Sequence, residues 1–347
     1  PKHARAEAAV RCGADLVLEL PLPWPISSAE GFARGGVFLL DALGCVTHLS
    51  FGSEAGHIEP LLKAARALDK PETLGYLKEE LQKGISFAAA RTEALRRVLG
   101  EGADVLLTPN NTLGIEYLRA LERLDSPIVP VTIRRKGAGH DEAGAESASH
   151  IRRQFQAGRE AWDLIPEPAR LVYREEVGAG RGPVFPEALE VAVLSRLRML
   201  PPEAFASLPD ATEGLERRLL EAAATGESLE DIARQVKTKR YALSRVRRML
   251  LCAALGVTKD FTRFPPPYIR VLALGERGRE ILAQSRRRAA LPVVTKPAAV
   301  RRLGGRALEV FRLEAAATDL YALAFAPRAR RGGQEWTKSP VLLRRGG

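Results

Sequence analysis

The sequence predicts an α/β protein in two parts: a doubly wound core lacking its first strand, then a mostly α-helical, basic domain. Three observations predict it. Helix-like and strand-like apolar patterns alternate through the first half, as a parallel sheet with crossover helices requires. That alternation opens inside a helix rather than on a strand. From residue 187 onward the apolar spacing is mostly helical, and the excess positive charge lies there.

Residues 4–12 have helical spacing, and 14–21 follow as a short apolar strand stopped by a proline. Ser27-Ser28-Ala29-Glu30 supplies a capping pattern for a helix running to Leu43. Residues 46–51 read as the next strand, with Gly52-Ser53-Glu54 directly after it. Helical periodicity resumes over 58–68, 72–83 and 87–98. Residues 103–107 read as a third strand, 110–124 as a helix and 128–133 as a fourth strand, giving a Rossmann-like order. Ser147 caps a further helix through Ile151, Arg152 and Arg153.

A core of this kind normally opens on a strand whose following turn binds phosphate. This chain opens in a helix, on a proline, and contains no GxGxxG, Walker loop or H-x-G-H. The order of elements therefore predicts an N-terminal truncation; genuine loss of the loop is the alternative. Residues 1–160 are assigned to the remaining core, the Pro- and Gly-containing stretch 161–186 to a linker, and 187–347 to the basic domain. In that domain 187–200, 212–224, 228–236 and 239–255 read as amphipathic helices. Residues 266–288 read as a strand and a helix, with short C-terminal strands among basic loops beyond.

The net charge of +11 is unevenly spread. Residues 231–347 hold 26 Lys and Arg against 8 Asp and Glu, whereas the preceding 230 residues hold 27 against 34. Such a surface attracts phosphate backbones through a salt-sensitive term independent of sequence. The alternative is a solvated surface kept for solubility, but segregation this strong favours nucleic acid. No apolar run approaches the roughly 18–20 residues of a membrane helix. Pro1–Arg5 leads into a helix containing Glu7, not into a signal-peptide core, so a cytoplasmic protein is predicted. Cys12, Cys45 and Cys252 form no CxxC and read as buried thiols, and the five histidines show no metal-ligand spacing.

Three segments leave a predicted strand at its carboxyl end, where open α/β sheets bind ligands. In Phe51-Gly52-Ser53-Glu54 the glycine allows close approach of a ligand to the backbone, or marks a plain turn. In Thr108-Pro109-Asn110-Asn111 the asparagines sit at a helix start, either as caps or as amides holding an adenine or ribose. Thr132-Ile133-Arg134-Arg135-Lys136 and Ser147-Ala148-Ser149-His150-Ile151-Arg152 combine cations with hydroxyls that could cradle a polyphosphate. A solvated charge run is the other reading of Arg135 and Lys136. In the basic domain, Tyr241, Ser244, Arg245 and Arg248 would share one helix face. Lys237, Lys239 and Arg240 would crowd that helix's start, where the dipole disfavours cations unless an anion binds.

Seven runs together resemble one family. They are Gly13-Ala-Asp-Leu-Val-Leu-Glu-Leu-Pro21, Phe32-Ala-Arg-Gly35, Phe51-Gly-Ser-Glu54, Pro109-Asn-Asn111, Thr212-Glu-Gly-Leu-Glu216, Val236-Lys-Thr-Lys-Arg-Tyr241 and Pro267-Tyr-Ile-Arg270. In order and spacing they are similar to the bacterial tRNA(Met) cytidine acetate ligases. The resemblance implies a nucleotidyltransferase-type core. It implies activation of acetate by ATP to acetyl-adenylate, then acetyl transfer to N4 of the wobble cytidine of elongator tRNA(Met). Acetate needs that activation, because its oxygen is a poor leaving group until it joins a mixed anhydride. On this resemblance ATP would be met by Gly52, Asn110, Arg134 and Arg135, with Ser149 and Arg152 as further phosphate contacts. The basic domain, through Lys237, Lys239, Arg240, Arg245 and Arg248, would hold the tRNA. Mg²⁺ is expected with the triphosphate, although no carboxylate cluster in the sequence marks a ligand set for it. The family's H-x-G-H loop would supply the catalytic groups; without it the chain as given is expected not to adenylate acetate. A small-molecule adenylyltransferase is the runner-up reading, and an RNA-binding protein without catalysis the non-enzymatic one.

Overall fold

The computed structural model describes residues 1–135, 147–212 and 214–344. Lys136 and Glu213, which belong to two of the runs above, lie outside the described residues. Six strands are present among those described: β1 (Leu16–Glu19), β2 (His48–Ser53), β3 (Val129–Arg134), β4 (Ile269–Leu274), β5 (Val293–Val294) and β6 (Val341–Leu342). In the first half the helices are α1 (Lys2–Arg11), α2 (Ala29–Ala42), α3 (Ile58–Leu68), α4 (Pro71–Gln82), α5 (Phe87–Leu99) and α6 (Pro109–Arg123). Then come α7 (Ala148–Gln156), α8 (Glu167–Gly178), α9 (Glu190–Arg198), α10 (Pro202–Ala206), α11 (Leu215–Thr225), α12 (Leu229–Val236) and α13 (Leu243–Leu255). The last are α14 (Lys259–Arg263), α15 (Glu276–Ser285), α16 (Val300–Leu303), α17 (Gly305–Ala322) and α18 (Gln334–Thr337).

Strands β2 and β3 form a parallel pair in which Gly52 faces Ile133 and Ser53 faces Arg134. Their carboxyl ends therefore coincide. The second sheet centres on β4, which pairs antiparallel with β1 and parallel with β5 and β6. All six β4 residues are buried, so the strand reads as a continuous apolar run interrupted only by Arg270. This pairing joins residues on both sides of the expected linker. The stretch 161–186 itself carries α8, which packs Ala169 and Val172 on Ala4 and Ala8 of α1. The helical core gathers Leu215, Leu219, Ile232, Val246 and Met249, all essentially buried.

The predicted strand 103–107 is instead 3-10 helical, within Gly100–Leu107. A short apolar run does not by itself distinguish strand from helix, and Gly100, at φ 58°, turns the chain straight out of α5. The helix expected over 239–255 starts only at Leu243. Residues 237–242 form a turn in which Thr238 Oγ1 accepts from the backbone N–H groups of Arg240 (3.2 Å) and Tyr241 (3.1 Å). The 18-residue α17 has no counterpart in the sequence reading. Its exposed residues Gly305, Glu309, Arg312 and Ala316 share one narrow face, while the buried side carries Glu314 and several alanines beside Val310, Phe311 and Leu313, so the apolar contrast between faces is weak. Of the cysteines only Cys252 is buried; Cys12 is exposed, against expectation.

A charged network joins the distant segments. Lys2 of α1 donates to Glu19 of β1, to Glu314 of α17 (2.9 Å) and to Glu335 of α18 (2.9 Å). Arg270 of β4 lies 3.1 Å from Glu19 and pairs with Glu335. Five ionisable groups thus lie together, Lys2 partly exposed and the other four buried, with the carboxylates set against Lys2 and Arg270 as interior charge requires.

Candidate nucleotide site and basic surface

The strand-end site is built on the β2–β3 pair and the start of α6. Pro109 at the first turn of α6 has the fixed φ suited to a helix start, and Glu54 faces that start from the end of β2. The Glu54 carboxylate accepts from the Asn110 side-chain amide (2.6 Å) and from the Asn111 backbone N–H (2.8 Å). Burial alone would raise its pKa, but these hydrogen bonds hold it below the usual glutamate value. A carboxylate already occupies the positive end of α6, so this end is not free for a phosphate. Ser53 Oγ accepts from Thr132 Oγ1 (2.7 Å) and from the Gly56 N–H (3.0 Å), which locks the loop after β2 to β3.

The two asparagines separate in role. Asn111 is buried, and its Oδ1 accepts from the Ala55 N–H (3.0 Å), so it holds the loop. Asn110 is only half-buried, and its amide donates to Glu54 while no hydrogen bond to its Oδ1 occurs among the described residues. An acceptor held this way suits an adenine amino group or a ribose hydroxyl.

Arg134 and Arg135 are exposed at the end of β3. The Arg134 guanidinium donates to the Ala55 carbonyl (3.0 Å) and lies 3.3 Å from His57 Nε2, placing it over the loop after β2. Gly56 makes room for it: at φ 70° it is left-handed, and a Cβ there would meet Arg134 Cβ at 2.6 Å. The Arg135 stem crosses Gly52, where a Cβ would lie 3.1 Å from Arg135 Cγ. Gly52 thus admits a side chain of the same site. Gly52, Asn110, Arg134 and Arg135 are therefore brought together. Ser149 and Arg152 are one turn apart on α7 and 3.4 Å from each other, and no hydrogen bond or ion pair among the described residues ties them to the strand ends. Glu54 is thus the organiser of α6, a role whose one signal in the sequence is an acidic residue just past a strand end.

Helix α6 is also anchored along its length. Buried Arg119 bonds Glu116 (2.7 Å) and Asp69 (2.6 Å), and Arg123 bonds Glu30 (2.7 Å) and Asp69 (2.9 Å). These pairs tie α6 to α2 and to the end of α3.

In the basic domain Lys237, Lys239 and Arg240 are exposed on the turn between α12 and α13. They do not crowd a helix start; Lys237 instead follows the end of α12, where the dipole favours a cation. Tyr241 is buried in the helical core rather than sharing an outward face with Arg245 and Arg248. Arg245 donates to the Asp210 carbonyl (2.8 Å) and Thr212 Oγ1 (2.9 Å), and Arg248 lies 4.0 Å from Asp210. Both arginines brace the loop before α11. No helix among the described residues is long and apolar enough to cross a membrane.

The HIGH Nucleotidyl Transferase family model matches residues 1–335. The tRNA(Met) cytidine acetate ligase of Acetivibrio thermocellus is 36% identical over 372 residues, covering 99% of this chain and 88% of that protein. The Thermotoga maritima protein of the same name is 37% identical over 99% of this chain and 89% of its own length. The crystal structure of apo Thermotoga maritima TmcAL superposes with a TM-score of 0.92 at 35% identity, covering 99% of this chain and 88% of that one. A second crystal structure, bound with alpha-thio ATP, superposes at 0.91 with 36% identity over 99% of this chain and 87% of that one. The chain belongs to the tRNA(Met) cytidine acetate ligase family of HIGH nucleotidyl transferases.

Proposed function

We propose that this chain serves ATP-dependent acetylation of the wobble cytidine of elongator tRNA(Met). The observation that carries the reading is the convergence of Gly52, Asn110, Arg134 and Arg135 at the coincident ends of two parallel strands. The same fold holds alpha-thio ATP in a relative 36% identical to this chain. In the reaction an acetate oxygen attacks the α-phosphorus of ATP and pyrophosphate leaves. The cytidine N4 amine then attacks the acetyl carbonyl, AMP leaves, and N4 gives up a proton. Asn110 would fix the nucleoside, while Arg134 and Arg135 would balance the phosphate charge.

The tRNA is placed on the exposed cations Lys237, Lys239 and Arg240, with Arg245 and Arg248 shaping the adjoining loop. Among the described residues the one cluster of three carboxylates, Glu19, Glu314 and Glu335, is buried and bonded to Lys2 and Arg270, which unfits it for Mg²⁺ at the strand ends. Mg²⁺ is expected as a counter-ion of the triphosphate. A tRNA-modifying role places the protein in the cytoplasm. The protein given ATP, acetate and elongator tRNA(Met) is expected to yield N4-acetylcytidine, read by mass spectrometry of the digested tRNA. A product that requires acetyl-CoA and forms without ATP would overturn the reading.

A further inference from the structure

We infer that Phe264 is a stacking platform for an unpaired base of the RNA bound by the basic surface; the inference rests on the tRNA reading above. Phe264 is 52% exposed and belongs to no buried cluster among the described residues. It is also held in place. The Arg306 guanidinium donates to the backbone carbonyls of Phe261 (2.9 Å) and Phe264 itself (3.0 Å), which pins the segment from one side. Pro265, Pro266 and Pro267 follow, each with a restricted φ. A ring presented on so stiff a backbone loses little conformational freedom when a ligand stacks on it.

The surroundings indicate the partner's chemistry. Two guanidinium groups flank the ring, Arg306 at 5.2 Å and Arg263 at 5.6 Å from its centroid. Arg34 donates to the Thr262 carbonyl (2.8 Å), two residues before the ring. Beside Thr262 opens a cleft of about 310 Å³ that Arg34, Arg248 and Lys259 line. Its two carboxylates each have a cation alongside: Arg123 is 2.7 Å from Glu30, and Arg248 is 4.0 Å from Asp210. An exposed aromatic among arginines would also suit a protein partner, but protein interfaces are depleted in lysine, glutamate and aspartate, all of which line the adjoining cleft. An aromatic face set among arginines, beside a cationic cleft, is the arrangement that takes a splayed base and its phosphates.

The test compares a short single-stranded RNA with an abasic oligomer of the same length and charge, together with an elongator tRNA(Met) transcript. Wild-type protein is expected to bind the base-containing oligomer about tenfold more tightly than the abasic one. Phe264→Ala and Phe264→Leu should both abolish that preference and weaken tRNA binding without changing its salt slope, whereas Phe264→Trp should keep both. Arg263→Ala should lower the salt slope instead. Retention of the preference by Phe264→Ala overturns the inference, and retention by Phe264→Leu shows apolar burial rather than stacking, which also overturns it. So does an effect of Phe264→Ala confined to self-association of the protein. Wild-type protein that binds the tRNA but shows no preference between oligomers defeats this inference alone. Failure to bind the tRNA at all defeats the tRNA reading with it.

Discussion

Asn110 and Asn111 are adjacent in sequence and face different tasks. Asn111 Oδ1 is committed to the Ala55 N–H, whereas Asn110 meets Glu54 through its amide and offers its oxygen outward. Asn110→Ala is therefore expected to weaken ATP binding by about threefold to tenfold, the worth of one hydrogen bond, and to lower folding stability by no more than about 1 kcal/mol through its lost bond to the partly exposed Glu54. Asn111→Ala should do the reverse, costing about 1–2 kcal/mol by emptying a buried site and leaving the partly buried Ala55 N–H unpaired. Calorimetric titration with ATP beside urea unfolding separates the two, and unaltered ATP affinity in Asn110→Ala would remove that residue from the site. The strand-end residues were legible because glycine, proline and asparagine mark local backbone geometry. The division of labour between the asparagines was not, because Glu54 and Ala55 lie 56 positions away along the chain.

Helix α6 carries that asparagine, and its position against β2 depends on a missing side chain. Gly114 lies over the Phe51 ring, and a Cβ there would come within 2.5 Å of Phe51 Cε2. Phe51 is itself held against Tyr117, with ring centroids 5.5 Å apart, so it has little room to yield. Alanine normally improves a helix interior by about 1 kcal/mol over glycine. Here the overlap should win: Gly114→Ala is expected to destabilise by about 1–2 kcal/mol and to loosen ATP binding by tilting the start of α6. Adding Phe51→Leu should recover part of both losses. Denaturant unfolding of the single and double variants checks the coupling, and additive effects would show that the contact does not set the helix position. At this scale amphipathic helices such as α3, α5 and α12 were readable from spacing, and capped starts at Ser28 and Ser147 from composition. Helix α17 escaped because its exposed face is narrow and its buried side carries Glu314 and alanines, so periodicity finds little apolar contrast.

The whole molecule is joined by the Lys2 network, whose partners lie 17, 312 and 333 positions from Lys2. No local pattern announces such a cluster, and it makes stability depend on pH in two opposing ways. Burial and the neighbouring Glu314 carboxylate push Glu19 up to about 7 from an ordinary 4.5. Between those values the folded state holds a proton that the unfolded chain has released, so the Glu19 contribution falls as pH rises. Burial, with Lys338 and Arg270 nearby, pushes His3 down to about 3 from 6.5. Across that interval the unfolded chain holds the extra proton, so the His3 contribution rises with pH. The two slopes offset each other over the range they share. Glu19→Gln removes the falling one, so its stability relative to wild type should climb by about 2 kcal/mol from about pH 5 to about pH 7. His3→Gln should decline relative to wild type over the same range. Urea unfolding at half-unit pH steps measures both differences, and a Glu19→Gln profile parallel to wild type would mean that Glu19 is ionised throughout.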